Sequence, residues 1–522
     1  MDKKYFGNTL EEIRKQLPAK ANVHITRMKG WGECLVGNTL IPTSKGFLSI
    51  EDIIQSQNEL IASPFGVDKP TRYFETDSRK IHRIETVHGY TLEGTQDQEV
   101  LTLNSSTGYL EWKELRNLQI GDYIALDRKT SIWAENVPTF STIKFKAAKP
   151  PTQLTKELAR LLGYITRDDS SMFFYTSESE YVQKDFAYCA KACFPNCEVT
   201  LDSQITENGT LVYSARIHGD NIEGLRKEIR EFLNYLGINY GDNARNKIPW
   251  CILQAPKEYM VEYLKALFEC GGYANPDVIE YYTASPELVK QLKIVLLNFG
   301  IVTGGYIKKG RWNPFSKKFD KNVYKCKLLI RGAWLDIFYK FIGFISPKNR
   351  YKFKCRNTNI DIIPNVKQVI TKIAYSIRTR IGYYKIDGEE KRLRIVGHTR
   401  AKNFTYDYLK KHTYIESDIR VVDSKLADTL KFCLDNEPFW ELVKLNFIKK
   451  DKEKTYDFSM PSKSFVGNGV ICHNCDALDL KAFAMNPKTR KLYQVTLTDR
   501  CEDRIIELMG SDSVCRKKLL GI

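Results

Sequence analysis

Two widely separated points of the 522-residue chain hold side chains able to make and break peptide bonds. One is Cys34; the other is the run His473-Asn474-Cys475. A thiol is the strongest common side-chain nucleophile near neutral pH, so Cys34 can attack the carbonyl of Glu33 and turn an amide into a thioester. Cys475 can capture that ester if the fold brings the two points together. The Asn474 side-chain amide can cyclise onto its own carbonyl and cut the chain, and the His473 imidazole can move the proton this requires. A lone cysteine near a strand start is ordinarily a small buried hydrophobe, and His-Asn-Cys arises by chance in long chains. Their joint placement at the two ends of one block points to chemistry instead.

The elements that must position these residues are legible in the texture of the chain. From Cys34 to Leu126 short β-type runs alternate with turns: Thr39 to Pro42, Ile81 to Val87, Tyr90 to Leu92, Val100 to Leu103 and Tyr123 to Leu126. A Pro- and Lys-rich joint, Lys144 to Pro151, follows, and Leu154 to Tyr164 opens an α+β region running to about Lys348. A weak internal duplication lies within it. Leu158 to Asp168 and Tyr263 to Gly272 are apolar helices, each followed by β-type residues, Met172 to Tyr175 and Val278 to Thr283. Residues 350–440 are basic and mixed, with helical stretches Val366 to Ile373 and Ser424 to Leu434 and no motif. The β texture returns at Trp440 to Phe447 and at Tyr456 to Cys472. Helices are expected at Leu10 to Leu17 and Glu502 to Met509, and a strand at Leu492 to Leu497.

Composition bounds the class. Lys and Arg number 80 against 63 Asp and Glu, a net charge of +17, which favours a polyanionic partner such as nucleic acid. The basic excess sits mainly between residues 34 and 474. The longest apolar stretches, such as Ile294 to Leu297, fall far short of the roughly 20 residues of a membrane span, and the N-terminus has no apolar signal region. No membrane partner is expected. Thirteen scattered cysteines argue against a disulfide framework or zinc ribbon and for a reduced, cytoplasmic protein.

The two reactive points and their surroundings resemble an intein, a self-excising protein element. Cys34-Leu35-Val36-Gly37-Asn38-Thr39 with Gly46 to Ile54 is similar to the family's N-terminal block, Trp112 to Leu126 to the strand closing its first half, and Tyr456-Asp457-Phe458 through Val466-Gly467-Asn468-Gly469 to His473-Asn474 to its C-terminal blocks. The resemblance implies an all-β splicing domain (Hint type) built from both ends, residues 34–145 and 440–474. It implies excision by Cys34 acyl shift, transesterification to Cys475 and Asn474 cyclisation, without a cofactor. The family's Thr-x-x-His motif stands here as Thr95-Gln96-Asp97-Gln98, and Gln98 cannot shuttle a proton as imidazole does. Gln98 is expected to polarise the scissile amide by hydrogen bonding, with Asp97 or His88 as substitutes for the missing base. Lys463 stands where relatives often carry a His, and Asp457 is the candidate for controlling the proton on Cys475 or Cys34.

Residues 151–348 resemble a LAGLIDADG homing endonuclease, on Leu161-Leu162-Gly163-Tyr164-Ile165-Thr166-Arg167-Asp168 and on Leu264-Lys265-Ala266-Leu267-Phe268-Glu269-Cys270-Gly271-Gly272. That resemblance implies two helices packed through small residues, double-stranded DNA as partner, and an acid at each helix tip holding a divalent cation such as Mg2+. Asp168 supplies the first acid and candidate metal ligand; Gly271 stands where the second belongs, and Glu269 should point away from it. DNA binding with cleavage lost or reduced to nicking is expected. The alternative reading of the chain is a DNA-binding or nicking homing endonuclease with slow or no splicing.

The flanks, residues 1–33 and 475–522, joined at Glu33 and Cys475, resemble the C-terminal end of the ATPase/Toprim component of type II DNA topoisomerases, as in gyrase B and its phage counterparts. The motifs are Lys29-Gly30-Trp31-Gly32-Glu33-Cys475 and Met485-Asn486-Pro487-Lys488-Thr489-Arg490. The resemblance implies short α/β exteins, Arg27 and Lys29 as phosphate contacts, and other topoisomerase subunits as partners, carrying the ATP site and Toprim acids that this chain lacks, in a bacterial or phage-infected cytoplasm. The expected organisation is thus multidomain: flank, split β domain, inserted α+β domain, a basic region at 349–439 of unassigned role, and flank.

Overall fold

The computed structural model describes residues 22–25, 33–140, 145–167, 173–218, 222–238, 246–313, 318–346, 361–376, 378–380, 383–386, 388–393, 404–474, 480–485 and 492–497. Arg27, Lys29, Asp168, Cys475 and the helices expected at Leu10 to Leu17 and Glu502 to Met509 lie outside the described residues.

Both ends of the block 34–474 enter one β module. The strand Leu35–Val36 pairs with Tyr456 and Thr455 on one side and Gly94 on the other. Tyr123–Leu126 pairs with Phe439 to Leu442, and Val470–His473 is joined to the strand Glu99–Leu103 through Cys472 and Val100. The alternation of apolar residues explains the assembly: Leu35, Ile84, Val100, Ile124, Phe458, Phe465 and Val470 all point into one core. Two β stretches expected at Trp440 to Phe447 and Tyr456 to Cys472 prove to be parts of a longer pattern. A single 21-residue strand, Phe439–Ser459, runs through the first into the second, followed by the strands Ser464–Gly467 and Val470–His473. Its charged middle, Lys449 to Lys454, has no apolar alternation and is strand only because Arg72–Thr86 pairs along it, with register shifts at three places.

The inserted region holds two helix-and-sheet halves. The helix Lys156–Arg167 is accompanied by the sheet of Phe174–Ser177, Leu211–His218 and Glu198–Ile205, and the helix Lys257–Gly271 by the sheet of Gly272–Asn275, Val278–Thr283, Lys318–Arg331 and Gly304–Asn313. The two helices pack directly against each other. Their core is continuous with that of the β module, and aromatic pairs seal the border, Trp133 with Phe299 at 4.7 Å and Trp334 with Phe439 at 5.6 Å.

The region at 349–439 that the sequence leaves without a motif contains a structured unit. The helices Val366–Ser376, Tyr406–Lys411, Tyr414–Arg420 and Ser424–Asn436 gather Val366, Ile370, Leu426 and Leu430 around Leu101, Leu103, Trp440 and Ile471 of the β module. The Arg128 guanidinium clasps both oxygens of Asp361 at 2.9 Å, and Tyr109 Oη donates to Asp423 at 2.7 Å. The flanks meet as well: Asn22–Ile25 pairs antiparallel with Leu480–Met485, which pairs with Leu492–Leu497.

Candidate functional site

The pairing of Leu35–Val36 between Gly94 and Tyr456 sets Cys34 between the turn beginning at Thr95 and the strand carrying Asp457. Thr95 grips both sides of Cys34: Cys34 N–H donates to Thr95 Oγ1 at 3.1 Å, and Thr95 N–H donates to Cys34 O at 2.8 Å. The thiol is buried. Loss of hydration pushes it up to about 12, the Asp457 carboxylate adds to the rise, and the Arg79 charge and the hydroxyls of Thr455 and Thr76 oppose it. Asp457 is itself buried, with Oδ1 accepting from Phe458 N–H at 2.7 Å.

Gln98 does not touch the scissile amide as expected. Its Nε2 donates to the carbonyls of Glu99 at 2.9 Å and His473 at 2.8 Å, so its two hydrogens are spent across the gap between the two junctions. Thr95, not Gln98, holds the Glu33–Cys34 peptide N–H. Asp97 is paired with Arg116 at 3.0 Å on the same turn. His88, considered as a substitute base, is engaged at the border with the inserted region, where Nδ1 meets Glu441 Oε2 at 2.7 Å and its carbonyl accepts from Lys293 Nζ at 2.7 Å.

The decisive geometry is at the junctions themselves. His473 Nδ1 lies 3.0 Å from Glu33 Oε2, so the residue before Cys34 and the residue before Asn474 are in hydrogen-bond contact across 440 positions of sequence. Both are enclosed, with Glu33 1% and His473 13% exposed at the side chain. The Trp112 ring packs edge-on against the imidazole at 5.0 Å, and Glu99 brings a second buried carboxylate, so that ligand atoms of Glu33, Glu99 and His473 all lie within 4.8 Å of one another. Asn474 is fully buried and its N–H donates to Lys463 O at 3.3 Å. Lys463 thus acts here through its main chain, held at φ 57° in the turn that starts the Ser464–Gly467 hairpin. Sequence reasoning missed the side chains of Glu33 and Glu99. The signal for Glu99 was a charge at the head of the buried run Val100 to Leu103.

In the inserted region Gly163 is the point of closest helix approach. A Cβ there would collide with Tyr263 O and sit 2.9 Å from Ala266 Cβ. Beside it Arg160 Nε donates to Glu262 at 2.9 Å and Nη1 to Asp185 at 2.5 Å. At the tip of the second helix a Cβ on Gly271 would run into the buried ring of Tyr281. Glu269 turns away, accepting from Ser346 N–H at 3.0 Å and from its hydroxyl at 2.8 Å.

Comparison with known proteins agrees with this second geometry. Residues 258–343 match the LAGLIDADG-like domain family. The chain is also similar to the replication factor C small subunit of Methanocaldococcus jannaschii, 24% identical over 86% of this chain and 23% of that protein. It is similar to the replicative DNA helicase DnaB of Rhodothermus marinus, 24% identical over 84% of this chain and 46% of that one. It spans less than half the length of either relative. Among solved structures, a DnaB intein from Synechocystis sp. PCC 6803 is similar at 25% identity, covering 18% of this chain and 69% of that chain, with a TM-score of 0.16.

The LAGLIDADG-like segment begins one residue into the helix Lys257–Gly271 and does not include the first helix, Lys156–Arg167, which pairs with it in space. At the second tip the described residues do not fit a divalent cation: Gly271 offers no ligand, an aromatic ring fills the adjoining space, and Glu269, the nearest acid in sequence, is committed to Ser346. No hydrolytic step follows from this half of the site.

Proposed function

We propose that residues 34–474 excise themselves from the chain by autocatalytic splicing. The contact of Glu33 with His473 carries the reading, because an intramolecular reaction between the junctions requires them side by side in an enclosed pocket. The Cys34 thiol adds to the carbonyl of Glu33 and the C–N bond breaks, leaving a thioester and a free Cys34 amine. The Cys475 thiol then takes the acyl group and Cys34 recovers its proton. The Asn474 side-chain nitrogen attacks its own carbonyl carbon, the bond to Cys475 breaks, and the Cys475 amine takes the proton. That amine finally attacks its own thioester, giving an amide between Glu33 and Cys475. Thr95 holds the first scissile peptide, Asp457 governs the thiol proton and His473 serves the Asn474 step. Gln98 holds the His473 carbonyl.

The pattern of relatives supports the same reading. Two differently named proteins each match over more than four fifths of this chain and less than half of their own length, as expected of one element carried in different hosts. The host here is proposed to be the C-terminal end of a type II topoisomerase ATPase subunit, completed by other subunits. Pairing of Asn22–Ile25 with Leu480–Met485 is consistent with a single host fold interrupted at Glu33. The inserted domain is proposed to bind double-stranded DNA with cleavage impaired, since the acid is missing at Gly271.

Mass spectrometry of the freshly expressed chain tests the proposal. A species of residues 34–474 and a ligated product of residues 1–33 and 475–522 are expected, and Cys34→Ala should abolish both. An intact chain after prolonged incubation of the unaltered protein would refute splicing.

A further inference from the structure

We infer that Glu33, a residue of the flank and not of the excised block, is a positioning residue that withholds His473 from the Asn474 step until the flank has been transferred. The inference rests on the splicing reading. An imidazole Nδ1 carries a hydrogen in one neutral tautomer and in the cation, and it sits one bond nearer the main chain than Nε2, so Nδ1 is the nitrogen that reaches neighbouring peptide groups. An ionised carboxylate can only accept, so the 3.0 Å contact with Glu33 Oε2 engages the hydrogen on Nδ1. While it stays there, Nδ1 has none to offer the oxyanion that develops on the Asn474 carbonyl during cyclisation.

Three features hold the pair. The Glu33 side chain is 1% exposed, so water does not compete well for the bond. Trp112 closes one side of the ring. Gln98 fixes the His473 carbonyl at 2.8 Å, which leaves the ring's side-chain torsions as the freedom by which it can turn. Among the described residues, Glu99 on the strand Glu99–Leu103 and the buried Cys472 thiol on the strand Val470–His473 also face this cluster, and both stay behind when Glu33 moves.

Transfer changes this contact. When the acyl group of Glu33 passes from the Cys34 sulfur to that of Cys475, a C–S bond forms and another breaks, and Glu33 is no longer tethered to Cys34. The carboxylate leaves Nδ1, and the ring becomes available to Asn474. The order of steps is thereby written into the junction: cutting behind Asn474 follows transfer, and premature release of residues 475–522 is suppressed.

The test uses the full chain carrying Cys34→Ala, in which transfer cannot occur, with Glu33 retained or changed to Gln or Ala. Release of residues 475–522 is followed by mass spectrometry, and the His473 ring by nitrogen-edited NMR. The expected result is release about tenfold or more faster with Glu33→Gln and Glu33→Ala, the change that loss of one charge-assisted hydrogen bond produces. The downfield Nδ1–H resonance seen with Glu33 should be lost in both. Equal or slower release in the two folded variants overturns the inference while leaving splicing of the parent chain intact. If the parent chain gives no ligated product and no variant releases the flank, the splicing reading falls and the inference falls with it.

Discussion

Cys34 is an unpromising nucleophile by its surroundings. Its thiol is enclosed and pushed up to about 12 by desolvation and by Asp457, so the thiolate is scarce at neutral pH. While pH stays below that value the thiolate fraction grows about tenfold per unit. Cleavage at Glu33 by an added thiol, measured in a chain carrying Asn474→Ala, should therefore climb steadily from pH 6 to pH 9. A plateau near pH 8 would show a thiol far more acidic than this pocket permits. Identity at this scale was legible in the sequence; partnership was not. Gln98 was expected at the scissile amide, yet its amide nitrogen lies between the Glu99 and His473 carbonyls. The side chain is too short to reveal from a one-dimensional pattern which of two adjacent peptides it will meet.

Among the elements, the helix pair shows how two glycines in related segments do different work. Gly163 exists because two backbones touch, and any side chain there would have to displace a main-chain carbonyl. Gly271 instead faces a ring. Restoring an acid by Gly271→Asp should destabilise the protein by about 1–3 kcal/mol, because the added atoms enter the space of the buried Tyr281. It should also fail to give Mg2+-dependent cleavage of supercoiled duplex. Urea unfolding and a plasmid-nicking assay read the two effects, and strand scission by this single variant would contradict the account of the tip. The helices were evident from their apolar spacing, Leu158 to Asp168 and Tyr263 to Gly272. The long strand Phe439–Ser459 was only half evident, since its charged centre takes strand form from its partner Arg72–Thr86.

Across the whole molecule the inserted region is bolted to the β module through a buried lysine. Lys293 Nζ donates to the carbonyls of His88 at 2.7 Å, Thr303 at 3.2 Å and Gly304 at 3.1 Å. Burial pushes its ammonium down to about 7 from an ordinary 10.5, and the Glu441 carboxylate opposes that fall. Below pH 7 the lysine is protonated folded and unfolded alike, and the burial penalty is fully present. Between 7 and 10.5 the unfolded chain binds a proton that the folded chain lacks, so stability should rise with pH across that window. Thermal unfolding of the full chain followed from pH 7 to about 8.5, below the range where thiols ionise in the unfolded chain, should show this rise, and Lys293→Met should remove it; an unchanged slope in that variant would assign the effect to other groups. Among the described residues no helix is long and apolar enough to cross a membrane.

Residue chemistry and local periodicity were enough to nominate a thiol at 34, an amide at 474, two apolar helices, and an all-β frame at both ends of the block, and the family resemblance added the acid missing at Gly271. Those features depend on side-chain type and near neighbours, which a linear string carries in full. Contacts made across hundreds of positions were beyond it: the Glu33–His473 bond, the Lys293 clasp, and the docking of the helices between Val366 and Asn436 on the back of the β module. Each depends on which buried surfaces close against one another, and that choice is made only when the chain has folded.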